Sequence, residues 1–293
     1  MKKVVIAGGT GFIGSYLLKR FQESGYKVLI VSRLPGHVSW KPIELEEAFN
    51  GADMVLNLAG KSINCQHNDE NKKAIIESRI NTTLWIGNAV LASANPPKLW
   101  INASATGIYK PSFNHAMTED EKELGTDFLA KVIKKWEKAF FGFQIPETRQ
   151  IALRTSVVLG RNGGALKPLI LLGRFGLGGK QGDGKQMFSW IHVEDYFRIL
   201  LFLLENNSIQ GVLNCTSPEP VSNTDFMDSI RKTLRMPIGI PAPEFAIRLG
   251  AKLIGTEPEL ILNSSFVVPK RLMEAGFQFT FPSLDKALED LLI

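Results

Sequence analysis

The chain has 293 residues, 44% hydrophobic and 22% charged, with 26 glycines and 15 prolines. That make-up fits about two ordinary domains and excludes disordered, collagen-like and disulfide-scaffold classes. The balance of 34 basic against 29 acidic residues leaves +5, which admits a small anionic ligand but lacks the dense basic face that nucleic acid requires.

Lys3 to Ala7 is a β-branched run closed by glycine, the pattern of a strand buried on both faces. Apolar residues at Phe12, Ile13, Tyr16, Leu17, Leu18 and Phe21 then recur at helical spacing up to Gly25. Further strands are predicted over Lys27 to Val31, Asp53 to Leu58, Leu99 to Ala103 and Arg149 to Leu159. Helices are predicted over Asp69 to Ser93, stopped by Asn95-Pro96-Pro97, and over Asp127 to Phe141. Strand and helix alternating over 160 residues predict an α/β fold, a Rossmann-type doubly wound parallel sheet covered by helices.

After Gly160 the texture changes. Residues 173–184 hold six glycines and read as a loop, with the freedom to act as a lid over a cleft. His192 to Glu205 reads as a helix and Val212 to Asn214 as a strand returning to the sheet. Ser222, with Asp225 three residues on, resembles a capping box opening a helix to Leu234. The last 60 residues, punctuated by Pro237, Pro241, Pro243 and Pro258, form a smaller unit. The expected division is a nucleotide-binding domain of 1–160 and 191–215, with a smaller α+β substrate domain of 161–190 and 216–293.

Gly8 and Gly9 cut the N-terminal apolar run below signal-peptide length, and the longest apolar stretch elsewhere, Ile199 to Leu204, is too short for a bilayer. Cys65 and Cys215 are the only cysteines, in neither a CxxC nor a metal spacing, as in a reducing compartment. A cytoplasmic protein with no membrane, nucleic-acid or metal partner is expected.

The segment GGTGFIG at 8–14 lies between the first strand and the first helix, satisfying GxGxxG from Gly9. Glycine suits the sharp turn, the close approach of a pyrophosphate and helix–strand packing, and the helix N-terminus offers free N–H groups to the anion. Gly8, Thr10, Gly11, Phe12, Ile13 and Gly14 are therefore candidate dinucleotide ligands. The second strand ends in Ser32-Arg33 with no acidic residue before Glu44. A hydroxyl and a guanidinium suit the 2′-phosphate of NADP(H), where an acid would select NAD.

These features resemble the extended short-chain dehydrogenase/reductases, and within them an atypical branch of epimerase family proteins. The likeness runs end to end: GADMVLNLAG at 51–60, ESRINTT at 77–83, SATGIY at 104–109, LRTSVVLG at 153–160, GLGGKQGDGKQMFSWIHVED at 176–195, NCTSPEPVSN at 214–223 and, in a short C-terminal module, VPKRLMEAGFQFTFP at 268–282. The resemblance implies a site between two domains, with Leu58, Ala59, Gly60, Arg79 and Val158 as further cofactor contacts.

The family's catalytic pattern is broken. Relatives use a Ser/Thr and a YxxxK pair one helical turn apart. Registering the helix by Trp136-Glu137 puts Leu129 at the tyrosine position and Ile133 at the lysine position, and the family's hydroxyl position falls on Ala105. Ser104, Thr106, Tyr109 and His192 remain as candidate acid/base groups. In GDGKQ at 182–186, Phe188 stands where sugar-nucleotide enzymes carry an arginine for the diphosphate, so nucleotide sugars are expected to bind poorly. The readings left open are an NADP(H)-dependent oxidoreductase or epimerase acting on a small carbonyl or hydroxyl compound, and a catalytically silent NADPH-binding sensor. Either is compatible with a homodimer.

Overall fold

A computed structural model describes residues 1–293. The first unit runs β1 (Lys3–Ala7), α1 (Phe12–Glu23), β2 (Lys27–Val31), α2 (Pro42–Phe49), β3 (Met54–Asn57), α3 (Asp69–Ala92) and β4 (Leu99–Ala105). A 3₁₀ turn (Thr106–Ile108), α4 (Phe128–Phe141), β5 (Arg149–Thr155) and β6 (Val157–Leu159) follow. The remainder is α5 (Leu166–Arg174), β7 (Met187–Phe188), β8 (Trp190–His192), α6 (Val193–Glu205), β9 (Gly211–Cys215), β10 (Val221–Ser222), α7 (Asn223–Thr233), α8 (Glu244–Ile254), α9 (Glu259–Leu262), α10 (Lys270–Glu274) and α11 (Leu284–Leu292).

Six strands form one parallel sheet in the order β2-β1-β3-β4-β5-β9, the doubly wound architecture read from the strand–helix alternation. Side-chain alternation sends Val4 and Ile6 of β1 into a core with Leu17 and Phe21 of α1 and Leu200 and Leu203 of α6. Val5 and Ala7 enter a second core with Phe49 of α2, Val90 of α3 and Phe140 of α4. A strand covered on both faces needs an unbroken apolar run, which is why β1 shows no polar alternation. On the outer side of the first core, Tyr16 and Arg20 of α1 both bind Glu194 of α6, at 2.6–2.8 Å, joining the two helices.

The chain order reverses between β1 and β3, so β1 to β2 winds one way and β2 to β3 the other. Such a switch point opens a crevice at the carboxyl ends of the strands. The predicted strand 149–159 is two strands. At Ser156 the N–H and hydroxyl both reach the Cys215 carbonyl, at 3.1 and 3.2 Å, while the next N–H, on Val157, turns to Ser189. The chain thereby leaves the main sheet, and β6 pairs with β8 instead. That pair supports a third core of Leu159, Trp190, Phe226, Ile230, Leu288 and Leu291 beneath α7 and α11.

Helix starts follow their caps. Asn68, Asp127 and Ser222 accept the N–H three residues on, and the Ser222 hydroxyl also donates to the Asp225 carboxylate at 2.6 Å. The glycine-rich segment 173–184 is hydrogen-bonded to the chain at 223–242. Gly179, Gly182 and Gln181 donate to Ile240, Ala242 and Asn223, and Ile240 and Ala242 donate back to Gly176 and Lys180. No helix is long and apolar enough to cross a membrane.

Candidate cofactor and active site

The turn from β1 into α1 is shaped by what a side chain would strike. A Cβ at Gly8, whose φ is +77°, would lie 2.8 Å from the Ala59 backbone, and one at Gly14 would lie 2.5 Å from Gly9 Cα. The turn thus packs against the end of β3 and the helix against the turn. At Gly11 the nearest atom would be 3.8 Å away. Gly11 is also the N-cap of α1 and offers no side-chain acceptor, so the first N–H groups of the helix await an external one.

The turn borders a cavity of about 1010 Å³ at the switch point. Eight residues predicted from sequence meet there: Gly8, Thr10, Gly11, Ser32, Arg33, Leu58, Ala59 and Gly60. Trp40, Lys61, Ser62, Ser78, Thr82 and Trp85 also line it and were not anticipated. The two tryptophan rings lie 5.6 Å apart. The end of β3 is held by buried amides: Asn57 donates to Asn102 at 2.8 Å and accepts the Ala59 N–H at 3.0 Å, while Trp136 donates to Thr83 at 2.9 Å.

Gly14 packs against the turn, and Phe12 and Ile13 send their side chains to the first core while their N–H groups open α1. The Phe12 ring lies where side chains at Gly160, Gly163 and Gly164 would fall. Val158 is buried in the core beneath α6. Arg79 lies under the cavity wall, stacked 5.1 Å from the Trp136 ring and donating to the Lys61 and Ile75 carbonyls at 3.0 and 3.1 Å. Burial lowers its pKa to about 10. Its position makes it a support for the 60–61 turn.

The acid/base candidates lie in a buried hydrogen-bond network and at a helix cap. Ser104 donates to Glu137 at 2.6 Å, and Arg154 binds the same carboxylate through two nitrogens at 2.9 and 2.8 Å. The third Arg154 nitrogen donates to the Tyr109 hydroxyl at 2.9 Å, which donates to Asn214 at 2.8 Å. Asn214 N–H in turn reaches Glu119. All six residues are buried. Burial raises the Tyr109 pKa despite the nearby Arg154 cation, the reverse of what a phenol needs to exchange protons near neutrality. Ile133, which the sequence register put at the family's lysine position, joins Tyr109 in an apolar cluster.

His192 is the N-cap of α6. Its Nδ1 accepts the Glu194 N–H at 3.1 Å and its ring stacks on Phe281 with centroids 3.9 Å apart. Its Nε2 lies 3.3 Å from an Asp290 oxygen without hydrogen-bond alignment. Asp195 accepts the Thr280 and Phe281 N–H groups. Ser104 and Tyr109 thus have protein partners in one buried network and His192 in the α6 cap, while Thr106, at the head of the 3₁₀ turn, stands outside the network.

Residues 4–131 match the NAD dependent epimerase/dehydratase family, and residues 242–291 match a domain of unknown function, DUF1731. The epimerase family protein SDR39U1 of Mus musculus is 36% identical over 298 residues, spanning 99% of both chains. The chain belongs to the NAD dependent epimerase/dehydratase family. Within that family, an epimerase family protein of Staphylococcus aureus is 33% identical over 301 residues, covering 100% of this chain and 99% of its own. The crystal structure of human SDR39U1 with NADPH superposes with a TM-score of 0.91 at 34% identity, over 99% of this chain and 98% of that one. A nucleoside-diphosphate sugar epimerase from Corynebacterium glutamicum gives a TM-score of 0.79 at 31% identity, with 99% of this chain covering 58% of that one.

Proposed function

We propose that the protein binds NADP(H) in the switch-point cavity. The observation that carries this reading is the meeting of an uncapped helix N-terminus at Gly11 with Ser32 and Arg33 in one cavity free of carboxylates. The α1 N–H groups would take the pyrophosphate, Ser32 and Arg33 the 2′-phosphate, and the Trp40 and Trp85 faces the base. The NADPH in the human SDR39U1 structure supports the choice. Titrating both cofactors tests it: NADPH should bind more tightly, and equal or tighter binding of NADH overturns it.

Bound NADPH supplies a hydride for a carbonyl carbon. The expected role is that of an oxidoreductase, or epimerase-like enzyme, on a small carbonyl or hydroxyl substrate, held between the nucleotide-binding part (1–160 and 191–215) and a substrate part (161–190 and 216–293) in the cytoplasm. Ser104, Tyr109 and His192 would not deliver the proton, which leaves Thr106 or solvent. The Tyr109–Arg154–Glu137 network also favours a second reading, a catalytically silent NADPH sensor. Single-turnover oxidation of bound NADPH against a carbonyl library separates the two. Turnover supports the enzyme; its absence, with a partner whose binding depends on NADPH, supports the sensor.

A further inference from the structure

Helix α8 has two apolar faces. Ile247 and Ala251 point into the fold and are buried, while Phe245, Leu249 and Leu253 lie on the opposite side, 74%, 60% and 79% exposed. Residues four apart stack along one side of a helix, so these three form a single stripe. A helix that packs only on its own core carries polar residues on its outer face, whereas one that is apolar on both sides is covered on both.

The stripe continues into the chain ahead of it. Ile240 donates its N–H to Gly176 at 2.8 Å and accepts that of Gly179 at 3.1 Å. Phe175, Ile238 and Ile240, all exposed, are thereby set next to one another just before Pro243 opens α8. Together the six side chains expose about 800 Å², more than the largest apolar patch of a typical monomer and as much as one partner buries in a standard interface.

The polar residues of α8 are of both signs. Glu244 opens the helix, Arg248 lies one turn on, and Lys252 is exposed in the last turn. Arg248 is neutralised within the chain by Glu244 and Glu259, at 2.9 and 3.0 Å. An acid at one end and a base at the other complement a second α8 that runs antiparallel; in a parallel pair like charges would meet. This mixed face also lacks the basic rim with which amphipathic helices lie on anionic lipid.

We infer that α8 is the centre of a homodimer interface. Two copies pack their α8 helices antiparallel about a two-fold axis at Leu249, with Phe245 against the partner's Leu253 and Glu244 beside the partner's Lys252. The pairing is independent of the reading of the switch-point cavity.

Sedimentation of the full chain tests it: the wild type should be a dimer at micromolar concentration. Leu249→Asp should raise the dimer dissociation constant at least about 100-fold, because two carboxylates would meet in an apolar contact. Leu249 is exposed, so the melting temperature of the variant should hold. Leu91→Asp, at an exposed position of α3, should leave the dimer intact. In a Cys65→Ser background, Leu249→Cys lies at the axis and should oxidise to a covalent dimer. Phe245→Cys should not, since its two copies would be separated by about 12 Å along the helices, beyond disulfide reach. A monomer, including one that binds phosphatidylserine vesicles through this stripe, would overturn the inference. So would a dimer that survives Leu249→Asp, one lost equally with Leu91→Asp, or a faster cross-link at 245 than at 249.

Discussion

The crevice above β1 and β3 and the region between β4, β5 and α4 are both built at the carboxyl ends of the same sheet, yet their polar groups are in opposite states. At the crevice, the N–H groups of α1 have no capping side chain, and the Arg33 side chain is exposed. Between β4 and α4, donors and acceptors are matched in a chain from Ser104 through Glu137, Arg154 and Tyr109 to Asn214. Unspent hydrogen-bonding capacity beside open space is what a ligand can use, whereas buried polar groups that satisfy one another are bonded for stability. The two regions thus differ in hydrogen-bond saturation, open at the crevice and closed between β4 and α4.

The largest effect should come from breaking the saturated side. The side chains of Arg154 and Glu137 are 6% and 11% exposed, so Glu137→Ala would strand a buried guanidinium and lower stability by about 3–5 kcal/mol. Urea unfolding checks this, and a loss below about 1 kcal/mol would mean that water already reaches the network. On the unsaturated side, Arg33→Ala should leave stability unchanged and weaken NADPH about 10- to 100-fold, with NADH nearly unaffected, as for a charge-assisted bond to phosphate. Equal weakening of both cofactors would put Arg33 elsewhere than at the 2′-phosphate.

The crevice was largely legible in the sequence because its information is local. The turn, the glycine collisions and the Ser32-Arg33 ending lie within a few residues of their strands, and the buried strands announce themselves as apolar runs. What was missed depends on chain segments meeting from a distance. Trp40 and Trp85 meet from β2's far side and from α3. The commitment of Tyr109 needs Arg154, Glu137 and Asn214 from three other elements, none marked by spacing. The switch of β5 into β6 at Ser156 is marked in the sequence only by the polar Arg154-Thr155-Ser156 interruption, which does not say which neighbour, β9 or β8, each half will pair with.

A finer division of the two regions comes from Tyr109→Phe. The change removes one hydroxyl, leaving an Arg154 donor and the Asn214 oxygen without their partner, at about 1–3 kcal/mol of stability. If Tyr109 is only structural, NADPH binding and any NADPH-dependent reduction measured on the folded protein should be unchanged. A variant that folds, binds NADPH and has lost turnover would return Tyr109 to the chemistry and undo the contrast drawn above.

The smallest effect concerns His192, the candidate that caps α6. Burial pushes its pKa below the ordinary value, against the pull of Asp290, Asp195 and Glu194. The unfolded chain takes up a proton near pH 6.5, while the folded chain does so only at lower pH. Its contribution is therefore fully present above about pH 6.5 and declines as the pH falls towards the depressed folded value, by at most about 1.4 kcal/mol per pH unit. His192→Asn keeps an oxygen able to cap α6 and has nothing to titrate. Its stability at pH 7.5 should stay within about 1 kcal/mol of wild type, and its loss between pH 6.5 and 5 should be shallower. Parallel pH profiles for the two proteins would mean that the carboxylates alone govern the acid limb and that the His192 cap tolerates its charge.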